Sequence, residues 1–131
     1  MGLDIGDRWI GVAMSDPQGI LASPLTIINR TDEQSAVNAI ITIIEQNQVG
    51  VVVAGLPISM NGSIGSQAEK VQDFIRELSQ HTEVPIEFRD ERLTTVSAQK
   101  LMKMTRKGGK VRDDAMAAAL ILQAYLDEKI A

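Results

Sequence analysis

Val51-Val52-Val53-Ala54-Gly55, running straight into Leu56-Pro57-Ile58, is the stretch on which the fold turns. The run is too short for a helix and has no polar residue to alternate with, so it is expected to be a strand buried on both faces. Such a strand needs helices on both sides of its sheet, and the flanking sequence supplies them. Upstream, Thr31-Asp32-Glu33-Gln34 matches a capping box, and Val37, Ile40, Ile41 and Ile44 recur at helical spacing up to about Gln48. Downstream, a loop from Leu56 to Gly65 contains Pro57, Asn61-Gly62 and Gly65. Ala68, Val71, Phe74, Ile75 and Leu78 then mark a second amphipathic helix.

Further out, GLDIG (2–6) and WIGVAM (9–14) are separated only by Asp7-Arg8, which predicts a hairpin. A third extended segment, Ile20 to Ile28, follows the Pro17-Gln18-Gly19 turn, and Val84 to Phe88 reads as the last strand. Thr94 to about Met104 is expected to be helical, Gly108-Gly109 lies in a basic loop, and Asp113 to about Glu128 is an Ala-rich final helix. The order β-β-β-α-β-α-β-α-α predicts an α/β fold, with a mixed five-stranded sheet, an antiparallel start, parallel crossovers and helices on both faces. With 131 residues and no internal repeat or linker, residues 1–131 are expected to form one domain.

Composition narrows the chemistry. There are no Cys residues and one His, which removes disulfides, thiolate zinc, a Cys nucleophile and a His pair for a metal. A catalytic metal would be held mainly by oxygen, favouring Mg²⁺ or Mn²⁺. The formal charge is −4, yet Lys100, Lys103, Arg106, Lys107, Lys110 and Arg112 form a stretch with no acid among them. A local cationic patch on an acidic body is the pattern of a protein that holds a polyanion at one place. The first residues, Met1-Gly2-Leu3-Asp4, do not resemble a secretory leader, and no stretch approaches the roughly 18 apolar residues of a membrane span. The reading is a cytoplasmic protein with no membrane partner.

Three places put carboxylates where a buried sheet meets its loops. Asp4 lies between Leu3 and Ile5, where a charge is costly unless something offsets it; the alternative is a turn-forming Asp ahead of Gly6. Asp90-Glu91-Arg92 follows the last strand at the edge where open α/β sheets bind ligands; the alternative is a solvated loop. Asp113-Asp114 opens the final helix, where either could serve as a cap. Asp114, Ala118, Ile121 and Tyr125 fall at i, i+4, i+7 and i+11, so Asp114 continues the stripe expected to pack on the sheet and Asp113 suits the cap. Acids so placed could converge on divalent cations that act on a phosphodiester, with the basic stretch holding the phosphate backbone.

Gly2-Leu3-Asp4-Ile5-Gly6 with Arg8 and Ile10-Gly11-Val12-Ala13, then Gly55-Leu56-Pro57-Ile58-Ser59-Met60-Asn61-Gly62, then Asp90-Glu91-Arg92-Leu93-Thr94-Thr95, then Asp114-Ala115-Met116-Ala117-Ala118 through Leu122-Gln123-Ala124-Tyr125 resemble, in the same order, the bacterial YqgF (RuvX) family. That family is similar to Holliday-junction resolvases of the ribonuclease H-like superfamily, and its members are described as candidate pre-16S ribosomal RNA nucleases or resolvase-like proteins. The resemblance implies a ribonuclease H-like fold and Asp4, Glu91 and Asp114 as catalytic metal ligands for Mg²⁺ or Mn²⁺. It also implies substrate contacts from the Gly55 to Gly62 loop, with Gly55, Pro57 and Asn61, and from Arg92. To these the cationic stretch adds Arg106, Lys107, Lys110 and Arg112. The family has an apolar residue where this chain has Asp113, and carries more of the first strand ahead of its acid, so that strand is expected to be marginal here.

The expected function is therefore metal-dependent hydrolysis of structured RNA, at the 5′ end of pre-16S ribosomal RNA. Branched DNA is the alternative substrate, and ribosomal precursor particles are a candidate partner. A non-catalytic nucleic-acid-binding or ribosome-assembly factor is the competing class. An ATP-binding module, prompted by the Asp4 to Ala13 hairpin, is disfavoured by the missing second lobe. The four aromatics, Trp9, Phe74, Phe88 and Tyr125, all lie in apolar runs, so base stacking along a single strand has little support. His81, just past a helix end, reads as a dipole partner and not a base. Monomer and homodimer are both open.

Overall fold

The structure is a computed structural model that describes residues 1–58, 61–91 and 113–130, the side chains of residues 113, 114 and 130 excepted. Five strands form one sheet: β1 (Gly2–Ile5), β2 (Trp9–Ser15), β3 (Ala22–Asn29), β4 (Val52–Leu56) and β5 (Ile86–Asp90). Their spatial order is β3-β2-β1-β4-β5. The pairs β1/β2 and β2/β3 are antiparallel, while β1/β4 and β4/β5 are parallel. Helices α1 (Glu33–Gln46) and α2 (Ser66–Ser79) make the crossovers on either side of β4, and α3 (Asp113–Ile130) follows the sheet.

Why the run at Val51 decides the fold is visible in β4. All five of its residues are buried; Val52, Ala54 and Leu56 pack into the core under α1 and α2, and Val53 packs into the opposite core under α3. The first core is filled by Val37, Ile40 and Ile44 of α1 and Val71, Phe74, Ile75 and Leu78 of α2, as their helical spacing predicts. The second is built from small residues, Ala13 and Ala22 of the sheet against Ala118 and Ala119, with Ile121, Leu122 and Tyr125 on the same helix face. Gly2 sets how close α3 comes: a Cβ there would meet the Ala118 carbonyl oxygen at 2.6 Å and Leu122 Cβ at 2.8 Å. Gln123, fully buried, pins the helix sideways. Its Oε1 accepts from the Ala22 N–H at 2.8 Å, and its Nε2 donates to the Ile20 carbonyl at 2.9 Å and to Asp127 Oδ1 at 3.0 Å.

Several expectations shift. β1 is not marginal: it pairs on both sides, Leu3 is fully buried, and the Met1 carbonyl accepts from the Val53 N–H at 2.8 Å. The cap of α1 is Asp32, not Thr31; one carboxylate oxygen accepts from both the Ser35 N–H (3.0 Å) and the Ser35 hydroxyl (2.7 Å). β3 begins at Ala22 because the Ile20 and Leu21 N–H groups are taken by Asp16 Oδ1, at 2.7 and 2.8 Å, in the preceding turn. Asp90 is the last residue of β5 and not part of the loop after it. His81 meets a side chain in addition to any helix dipole, with Nε2 3.3 Å from Glu77 Oε1. The expected Thr94 to Met104 helix and the basic loop lie outside the described residues. Among the described residues, no helix is long and apolar enough to cross a membrane.

Candidate active site

Parallel pairing of β1, β4 and β5 brings their carboxyl ends to one edge of the sheet, and this edge collects the acids. Side chains alternate along a strand, so Leu3 and Ile5 enter the core under α1 and α2 while Gly2 and Asp4 face α3. By the same alternation Glu87 and Arg89 lie on the α3 side of β5, and Glu91, one residue past its end, continues that row. Asp4 and Glu91 meet there with Ala117, Leu120 and Ile121 of α3, around a cavity of about 200 Å³. Two larger hollows, of about 520 and 540 Å³, lie elsewhere, and neither is lined by a pair of acids. Chemistry, not size, picks out the small one.

The electrostatics of this pair are unusual. Burial pushes the Glu91 carboxyl up from its ordinary 4.5 to about 7, helped by the Asp4 charge, by a hydrogen bond between the Asp4 and Glu91 carboxyl groups, and by Asp90. Two carboxyl groups facing each other against an apolar wall cannot both ionise cheaply; a shared proton relieves them, and so would a cation. The sign for stability follows. Between about pH 4.5 and 7 the folded protein holds a proton that the unfolded chain has lost, so this stabilisation is full below 4.5 and is lost as pH rises through 7. The difference corresponds to at most roughly 3 kcal/mol, which solvent around the half-buried carboxyl reduces to about 1–2 kcal/mol. Glu91→Gln, neutral at every pH, should therefore match the wild type in thermal unfolding near pH 4.5 and unfold several degrees higher at pH 8 without divalent metal. Equal midpoints at both pH values would show that Glu91 bears no such load.

Gly55 sits between the acids and the helix. A Cβ there would collide with Ile121 Cδ1 and would stand 2.8 Å from Glu91 Oε1 and 2.9 Å from Glu91 Cγ. The absent side chain is the space Glu91 occupies. Beyond it, the Ile58 N–H turns back to the Leu56 carbonyl at 2.9 Å, and Asn61 Oδ1 accepts from the Ser63 N–H (3.1 Å) and hydroxyl (2.7 Å). Pro57 and Asn61 thus shape the loop that leaves the carboxyl edge, but they do not line the Asp4–Glu91 cavity.

The third acid expected from the sequence, Asp114, has its backbone in the first turn of α3. Its side chain lies outside the description, and among the described residues no group of three acids or histidines is arranged to hold a metal. The helix runs opposite to β5, with Tyr125 beside Glu87 and Ile121 beside Glu91, so its first turn lies toward the carboxyl edge. The rest of the stripe is as expected: Ala118, Ile121 and Tyr125 are buried. Arg92, Arg106, Lys107, Lys110 and Arg112 lie outside the described residues.

Sequence reasoning missed two arginines. Arg30 donates from Nη1 to the Gly6 carbonyl at 2.9 Å, pairs with Glu33 at 2.9 Å, and lies 4.7 Å over the Phe74 ring, holding the loop that follows Asp4 and Ile5. Arg89 bridges β5 to α3. Only the alternation Glu87, Arg89, Glu91 could have pointed to the second.

Comparison with known proteins identifies the family and the fold. Residues 1–128 match the model of the family described as "RuvX: Holliday junction resolvase". A Dehalococcoides mccartyi protein named "Putative pre-16S rRNA nuclease" is 53% identical over 125 residues, covering 95% of this chain and 94% of that protein. A Roseiflexus protein of the same name is 48% identical over 132 residues, covering 98% and 94%. Among solved structures, Thermus thermophilus RuvC in complex with a Holliday junction substrate superposes with a TM-score of 0.67 at 12% identity, covering 99% of this chain and 94% of that one. The fowlpox virus resolvase bound to junction DNA gives a TM-score of 0.56 at 13% identity, covering 99% and 97%. At these identities the two structures speak for the fold alone, which is that of the RuvC-like, ribonuclease H-like resolvases.

Proposed function

The chain belongs to the RuvX family, and from that premise we propose that it is a divalent-metal-dependent nuclease, acting as one domain in the cytoplasm, that hydrolyses phosphodiester bonds at the 5′ end of pre-16S ribosomal RNA. The observation that carries the reading is the Asp4–Glu91 pair, two carboxyl groups held together against an apolar wall at the carboxyl edge of the sheet. The donor set fits a hard cation, since every candidate ligand is a carboxylate oxygen: Asp4, Glu91 and Asp114 would hold Mg²⁺ or Mn²⁺. When bound, such an ion supplies charge for the phosphodiester oxygens and acidifies the attacking water. Glu91 releases its proton to become a ligand, which ties metal binding to pH values near or above 7. Gly55 keeps the space that Glu91 needs, and Ala117, Leu120 and Ile121 limit water on one side of the acids.

Substrate is held by charge. Arg92, Arg106, Lys107, Lys110 and Arg112 contact phosphates of structured RNA, and the Gly55 to Gly62 segment, from the end of β4 onward, flanks it; the substrate is naked precursor RNA or a ribosomal precursor particle. Changing Arg106, Lys107 and Lys110 together to Gln should weaken RNA binding about equally across sequences. It should also lower the salt slope of log affinity by about two to three if all three touch phosphate. Unchanged affinity and slope in a filter-binding titration would take this stretch out of the mechanism.

The function itself is tested by incubating the protein with precursor 16S RNA and with four-way DNA junctions, in Mg²⁺, in Mn²⁺ and in chelator. The expected result is a metal-dependent RNA product whose new 5′ end maps to the mature terminus. Cutting of the junction alone would move the substrate to branched DNA. No product on either would leave a binding or assembly factor.

A further inference from the structure

The elements that carry the proposed ligands, β5 with Glu91 and α3 with Asp114, are joined at one place by a side chain that no part of the proposed chemistry uses. The Arg89 guanidinium donates from Nε to Glu128 Oε2 of α3 at 3.0 Å, from Nη2 to Glu87 Oε1 at 3.1 Å, and from Nη1 to the Phe88 carbonyl at 2.8 Å. It lies 5.1 Å from the centre of the Tyr125 ring, whose hydroxyl donates to Glu87 Oε2 at 3.2 Å and whose ring also carries Lys129 Nζ at 5.0 Å. The fork is thus fastened to both elements and oriented by an aromatic ring.

The bridge is poorly placed to add stability. Glu128 and Glu87 side chains are 47% and 39% exposed, and such pairs contribute little to folding. What it can do is set register. At the far edge of the sheet Gln123 already ties α3 to Ala22 and Ile20, and Ala118, Ala119, Ile121, Leu122, Tyr125 and Leu126 pack the helix face; on the β5 side, among the described residues, the polar ties are Arg89 to Glu128 and Tyr125 to Glu87. Arg89 is two residues before Glu91, about 7 Å along the strand, and Tyr125 is three turns after Asp114, about 16 Å along the helix. A slide of α3 along β5 would therefore be carried straight into the separation of the two acids.

We infer that Arg89 is a positioning residue that holds α3 in register with β5, and thereby fixes the spacing between Glu91 and Asp114. The inference rests on the nuclease reading above, with those acids as metal ligands. Its test uses the full chain. Arg89→Gln should lower kcat on precursor RNA about 10–100-fold with KM changed less than about threefold, and should weaken Mn²⁺ binding, followed by electron paramagnetic resonance, by about tenfold. The unfolding midpoint should move only a few degrees. Arg89→Lys should recover only part of the loss, because an ammonium group lacks the planar fork. If Arg89→Gln fails to fold, Glu128→Gln, which alters only the exposed helix side of the bridge, should show the same split at smaller size. Losses of kcat and Mn²⁺ affinity no larger than the loss of folded protein explains, or none at all, would overturn the inference while leaving the nuclease reading in place. A wild type that neither binds Mn²⁺ nor cleaves would overturn both.

Discussion

Asp4→Asn and Glu91→Gln should each lower RNA cleavage by at least about three orders of magnitude, roughly 4 kcal/mol of transition-state stabilisation, while the protein stays folded. Each substitution keeps the shape of the side chain and removes one negative charge from the pair that lines the cavity with Ala117, Leu120 and Ile121. Both acids lie on one site, so the double variant falls no further than the worse single one. Asp114→Asn is expected to join this class, since its stripe mates, Ala118, Ile121 and Tyr125, are buried on the sheet. Asp113→Asn, about 100° around the helix, costs less than about tenfold. Single-turnover cleavage of end-labelled RNA checks all four. A dead Asp113→Asn beside an active Asp114→Asn would shift the helix assignment by one residue.

The second large effect is expected at Gly55. Its backbone lies under Glu91 and Ile121, and one added methyl has no room against either. Ile121 can move only by disturbing the core under α3, so the Glu91 carboxyl, the freer neighbour, is displaced. Gly55→Ala should cost about 1–3 kcal/mol in denaturant unfolding and about 100-fold in kcat. A variant that folds as well as the wild type yet has lost activity would place the cost on the acid; one that loses stability and keeps activity would place it on Ile121 alone. Full retention of both would contradict the packing described here.

How far the sequence foretold this depends on the range of the interaction concerned. β4 was legible because burial on both faces removes every polar residue from Val52 to Leu56. The stripe of α3 was legible because helical periodicity is a local property. Asp4 and Glu91 were legible as strand-end acids that could converge; what the sequence did not show is how they meet, through β4 paired in parallel between β1 and β5 and a glycine at position 55 that admits a carboxylate. The cap of α1 was misplaced by one residue because Thr31 and Asp32 are both cap types, and only the geometry shows Asp32 satisfying Ser35 twice. Arg89 was missed for a simpler reason: the alternation Glu87, Arg89, Glu91 places it on the α3 side of the strand, but its partner Glu128 is 39 residues away and nothing local marks that partner.

If Asp4 and Glu91 together hold a divalent cation used in cleavage, that cation can be located. Crystals of the protein grown near pH 8 and soaked in Mn²⁺ should show an anomalous-difference peak between the two carboxyl groups, with oxygen atoms of both at roughly 2.1 Å, and the peak should vanish in Glu91→Gln. Mn²⁺-dependent cleavage of precursor RNA by a protein with no peak between Asp4 and Glu91 would contradict the account.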